Sequence, residues 1–131
     1  PLVPRPVVRV FSRNYIAGEA LEDAVRVARE LNAEGFMATL DVLGESVDRR
    51  DLAESAVQEY LRALRVIREE RLDANVSVKP TQLGLRFDRE FCLTNLRALA
   101  LAAREQGNFV RIDMEDSSTV DHVNLSGFRE V

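Results

Sequence analysis

Asn75-Val-Ser-Val-Lys79 alternates aliphatic and polar side chains, and segments of helical period flank it on both sides. Upstream, a helix is predicted from a cap at Asp48 to about Glu70, with Ala53, Ala56, Val57, Tyr60, Leu64 and Ile67 on one face. Downstream come a loop through Pro80 and Gly84, then a helix from about Asp88 to Gln106 that stops at Gly107. The same pattern repeats outward. Phe36-Met-Ala-Thr-Leu-Asp41 and Asn108-Phe-Val-Arg-Ile-Asp113 read as further strands. Before the first strand, Leu21, Ala24, Val25, Ala28 and Leu31 define a helix over 20–34 that ends at Gly35. Residues 1–12, with Pro1, Pro4 and Pro6, read as an extended arm, and 13–131 as the domain. Ser117 or Ser118 is placed to cap a last helix, which Gly127 interrupts.

Strands that alternate with helices are parallel strands joined by crossovers, so the class is α/β. Asp41, Lys79 and Asp113 end the three strands, thirty-eight and thirty-four residues apart. A (β/α)₈ barrel of roughly 250 residues averages about 31 per unit, so the period suits a barrel. A doubly wound sheet has similar units, and spacing alone does not separate the two. With about three βα units, a TIM-barrel type fold would be present here as an incomplete barrel. Such a piece leaves an open sheet edge, which oligomerisation would be one way to cover.

Side chains on a strand alternate between its faces. Phe36, Ala38, Leu40, Val76, Val78, Val110 and Ile112 are expected to pack against helices. The opposite phase then carries Met37, Thr39 and Asp41, then Ser77 and Lys79, then Phe109, Arg111 and Asp113. Each strand thus aims its last, charged residue into the C-terminal mouth, where barrel enzymes place their chemistry. Charges there must pair or bind something charged. Arg111 is available to neutralise one carboxylate, and a second carboxylate or an anionic ligand would match Lys79. A strand-end Asp is also a common turn former, so the case rests on three charges in one phase at one end.

Composition narrows the alternatives. Of 131 residues, 46% are hydrophobic and 31% charged, as in an ordinary globular domain. Eighteen basic against 22 acidic residues provide no cationic field for nucleic acid. Apolar runs of a few residues fall far short of the ~20 that span a bilayer. Cys92 as the lone cysteine excludes an intrachain disulfide and fits a reducing, cytoplasmic compartment. With His122 the lone histidine, no zinc-type ligand cluster exists. Cys92 reads as a packing or surface residue and His122 as solvent-facing. Gly18, Gly44 and Gly84 read as turn residues, the last two where a backbone could approach a ligand.

Four blocks carry a family likeness. Arg13-Asn-Tyr-Ile-Ala-Gly-Glu19, Ala38-Thr-Leu-Asp-Val-Leu-Gly-Glu45, Ser77-Val-Lys-Pro-Thr-Gln-Leu-Gly-Leu85 and Phe109-Val-Arg-Ile-Asp-Met-Glu-Asp-Ser117 resemble consecutive blocks of the monofunctional bacterial proline dehydrogenases. The resemblance covers nearly all the chain after the arm. It implies a (β/α)₈ barrel holding FAD noncovalently, oxidation of L-proline to Δ1-pyrroline-5-carboxylate, and a quinone acceptor reached by peripheral contact with the membrane. It implies roles as well: Lys79 for the proline carboxylate, Asp113 for the active-site aspartate beside substrate and flavin, and Met114 for a flavin contact. Glu45 resembles the glutamate that gates the site with a later arginine, and Asp41 a site-lining carboxylate.

Two departures stand out. Pro80 replaces the family's usual leucine after the lysine, which restricts Lys79 to extended geometry and is expected to end the strand. The chain also lacks the family's later segments, with their glutamine and arginine flavin contacts and the tyrosine and arginine pair that grip proline. It therefore reads as a fragment of the enzyme. The alternatives are a non-enzymatic half-barrel remnant serving as a scaffold or oligomerising module, and another barrel enzyme that binds a small carboxylate, such as an aldolase.

Overall fold

A computed structural model describes residues 20–44 and 47–114. The arm over 1–12, Gly18, Glu45, Ser117, Ser118, His122 and Gly127 lie outside the described residues. Among the described residues three helices and three strands alternate: α1 Leu21–Ala33, β1 Ala38–Asp41, α2 Arg50–Glu69, β2 Ala74–Val78, α3 Arg89–Glu105 and β3 Val110–Ile112. A 3-10 turn, Pro80–Leu83, follows β2. The strands are parallel in the order β1-β2-β3. Asp41 lies level with Ser77, and Ser77 with Arg111.

The core is one cluster between the sheet and the helices. Ala38, Val76 and Val78 meet Ala28 of α1, then Val57, Tyr60, Ala63, Leu64 and Ile67 of α2, and Cys92, Leu96, Leu99 and Ala103 of α3. Leu40, Val110 and Ile112 join its margin, so these strand positions face the helices as their phase requires. Phe36 does not. It is 55% exposed, because the strand begins only at Ala38 and Phe36 closes the turn out of α1. Its amide donates to Leu31 O at 2.9 Å, and its carbonyl accepts from Asn32 Nδ2 at 2.9 Å. These bonds fix the backbone of the turn and leave the ring outside.

The helix ends follow the sequence unevenly. Asp88 caps α3, accepting from the amide of Phe91 at 3.0 Å. Asp48 does not cap α2: the N-cap is Arg49, which makes no side-chain cap bond. Its guanidinium is taken by Asp51 instead. Gly35 and Gly107 stop α1 and α3 with φ of 87° and 68°. Arg50 stacks over Phe91 at 4.0 Å from the ring centroid and pairs with Asp88 at 2.9 Å, tying the start of α2 to that of α3.

Candidate active site

Pro80 sets the first element of the site. It ends β2 at Val78, holds Lys79 extended at φ −103° and ψ 120°, and opens the 3-10 turn as its first residue. Lys79 therefore leaves the sheet on the face the helices do not cover, 21% exposed along its side chain. Two strand ends bring carboxylates to it. Asp41, the last residue of β1, forms an ion pair with Lys79 Nζ through Oδ2. Asp113 follows β3, where its amide donates to Val78 O at 2.9 Å, and Oδ2 stands 3.7 Å from the same ammonium. The structure thus joins three of the residues picked out by strand phase. It also supplies Lys79 with more than the second carboxylate that was expected.

Arg111 takes no part in this pairing. It is exposed, one position before Ile112, and makes no ion pair among the described residues. The expectation that it would neutralise a strand-end carboxylate is corrected: Lys79 reaches both carboxylates from the central strand. Met114, half-buried, follows Asp113 directly.

Behind Asp41 lies a buried network that strand phase did not reveal. Tyr60, taken from the sequence as a core residue of α2, is fully buried, and its hydroxyl reaches the site. It stands 2.8 Å from Gln82 Oε1 and 3.2 Å from Asp41 Oδ1. Burial first, and then the charge of Asp41, raise the phenol well above its usual range, so it keeps its proton. Gln82 Nε2 donates to the carbonyls of Val42 and Gly44, each at 3.0 Å. A Cβ on Gly44 would stand 2.9 Å from that nitrogen, which explains glycine there. Gly44 and Gly84 both lie close against this protein's own side chains, Gln82 in one case and Phe91 in the other.

Cys92 is buried beneath the 3-10 turn with Sγ 3.5 Å from Pro80 O, and burial pushes its thiol up to about 11. It is a packing residue. Among the described residues no cluster of three or more His, Cys, Asp or Glu side chains could hold a metal ion. No described helix is long and apolar enough to cross a membrane.

Comparison with known proteins bears on this arrangement. The family described as proline dehydrogenase matches residues 24–131. Proline dehydrogenase 1 of Bacillus subtilis subsp. natto is 37% identical over 122 residues, covering 93% of this chain and 40% of that protein. The proline dehydrogenase of Deinococcus radiodurans is 30% identical over 122 residues, covering 91% of this chain and 39% of its own. The chain thus spans about two fifths of the length of these two relatives. Among solved structures, proline utilization A (PutA) from Bdellovibrio bacteriovorus, inactivated by N-propargylglycine, matches with a TM-score of 0.76 at 23% identity. That match covers 92% of this chain and 15% of PutA. At that identity the likeness concerns the fold.

Proposed function

This chain belongs to the proline dehydrogenase family, and from that premise we propose that it is the N-terminal part of an FAD-dependent enzyme that oxidises L-proline to Δ1-pyrroline-5-carboxylate. In this reading residues 13–131 form the first units of a (β/α)₈ barrel, whose later units stand beside β1 and β3.

One observation carries the reading: a single ammonium, Lys79, stands between two carboxylates, Asp41 and Asp113. Among the described residues the cluster is net negative, so a simple carboxylate ligand would meet more repulsion than attraction from it. A zwitterion fits it. The carboxylate of proline takes Lys79, and the ring nitrogen, as an ammonium, lies towards Asp113. Asp41 yields part of its hold on Lys79 to the substrate and keeps its contact with Tyr60. Two such anchors fix the ring of a small amino acid, which is catalysis by positioning.

The residues present fit one side of a flavin. Arg111, exposed on the uncovered face, is a cation suited to a phosphate or a flavin carbonyl, and Met114 offers an apolar contact beside Asp113. FAD, when bound, supplies the electron-accepting chemistry, while the chain contributes orientation and charge. Glu45 is assigned to a gate closed by an arginine from the later part of the barrel. The reading includes a cytoplasmic enzyme that meets a quinone at the membrane surface.

The test is a chimera in which this chain replaces the matching segment of the Bacillus subtilis relative. The purified chimera is expected to be yellow and to bleach when L-proline is added without oxygen. A folded, yellow chimera that proline does not bleach would overturn the reading and favour a non-enzymatic scaffold.

A further inference from the structure

We propose that Gln82 is a positioning residue that sets the Asp41–Lys79 pair, acting as an amide peg between the loop after β1 and the turn after β2. The proposal deepens the reading of Lys79 as the carboxylate anchor and rests on it.

Gln82 is 2% exposed, yet each polar atom of its side chain has a partner. Both amide protons go to backbone carbonyls of the β1 loop, at Val42 and Gly44. With the amide reversed, a carbonyl oxygen would face two others, so the neighbours dictate its orientation. Oε1 is thereby turned towards Tyr60, whose one hydroxyl proton lies between Gln82 Oε1 and Asp41 Oδ1. The main chain fastens the same two segments where Val47 N donates to Thr81 O at 3.2 Å, and Gln82 N donates to Lys79 O at 2.9 Å within the turn itself. The loop leaving Asp41 and the turn leaving Lys79 are therefore one unit, with Gln82 at its centre.

Removing the peg takes their shared donor from the carbonyls of Val42 and Gly44 and unfastens the loop from the turn, so Asp41, one residue before Val42, moves with the loop. A substitution at Gln82 should therefore weaken proline binding although the side chain touches no substrate. Outer-shell partners that orient metal ligands cost about 10–100-fold when lost, and a peg that orients an ionic anchor is expected to act on the same order.

The test uses the full chain with Gln82→Met and Gln82→Glu, and Tyr60→Phe as a milder change that removes only the hydroxyl. Amide exchange at Val47 reports the loop, with Asp113, bonded to Val78 O, as the reference for general loosening. L-proline titration reports the anchor. The positioning role predicts at least tenfold faster exchange at Val47 relative to Asp113, and a roughly tenfold weaker proline dissociation constant. Tyr60→Phe should move both in the same direction by less. Gln82→Glu should regain part of its affinity as the pH falls, because a protonated carboxyl can again donate. A purely structural role would raise exchange at both amides together and leave affinity in the folded variants unchanged, which would overturn the proposal. If the unsubstituted chain binds no proline, the titration is made on the chimera with the Bacillus subtilis relative, and absence of binding there sinks the functional reading. The exchange ratio still decides the peg: no change at Val47 relative to Asp113 overturns it.

Discussion

A Lys79→Met chain is expected to bind L-proline roughly 10- to 100-fold more weakly than its parent while keeping most of its stability. Methionine preserves the length and apolar stem of the side chain and removes only the ammonium. A hydrogen bond to a charged group contributes about 1.5–3 kcal/mol, and each 1.4 kcal/mol is about tenfold in affinity. Asp41 and Asp113 would be left to repel the ligand's carboxylate. The stability effect should be small, because both carboxylates are more than a third exposed and water screens their mutual repulsion. Calorimetric titration with thermal denaturation checks both halves. An unchanged dissociation constant would remove Lys79 from the site.

Gly84→Ala should produce the largest loss of stability of any single methyl added to this chain's described glycines. Gly84 has φ of 104° at the end of the 3-10 turn, a backbone that an L side chain adopts only under strain of about 1–3 kcal/mol. The new Cβ would also stand 2.8 Å from Phe91 Cδ1 and 3.1 Å from Phe87 Cζ. The Phe91 ring is held from two sides. The two rings pack with centroids 6.0 Å apart, and Phe91 carries the Arg50 guanidinium on its face. Overpacking typically costs a further 1–3 kcal/mol. Together these terms, roughly 2–6 kcal/mol, lower Tm by roughly 6–30 °C, at about 3–5 °C per kcal/mol for a domain between 100 and 150 residues. Gly35→Ala is the control: its φ is 87°, but nothing lies within 4 Å of the added methyl, so it bears the backbone term alone. Equal melting temperatures for the two variants would contradict the packing argument.

The contrast between these positions shows what strand and helix periods carry. Alternation assigned Ala38, Val76, Val78, Val110 and Ile112 to the helix side and Asp41, Lys79 and Asp113 to the mouth, because a period of two leaves a strand residue only two choices. The stop at Val78 was legible too, since proline acts on its predecessor through local sterics. Phe36 fell outside that logic, because its place depends on how α1 ends rather than on the strand it precedes. Arg49 displaced Asp48 as the α2 cap, a boundary decided by one backbone conformation. Gln82 was the larger omission. Its position in a turn obeys no period, and its partners at Val42 and Gly44 are backbone atoms about forty residues away. Gly44, read as a turn residue whose backbone could approach a ligand, gave no pointer to Gln82 itself.

The most direct measurement is a pair of titrations of this chain, one with L-proline and one with cyclopentanecarboxylate, which has the ring and the carboxylate but no amine. With Lys79 between two carboxylates, proline should bind at least ~10-fold more tightly, since an ammonium facing Asp113 adds a charge-assisted hydrogen bond. The preference should vanish in Asp113→Asn. Equal or tighter binding of cyclopentanecarboxylate would contradict a zwitterion site, and the proposed oxidation of proline would lose its structural support.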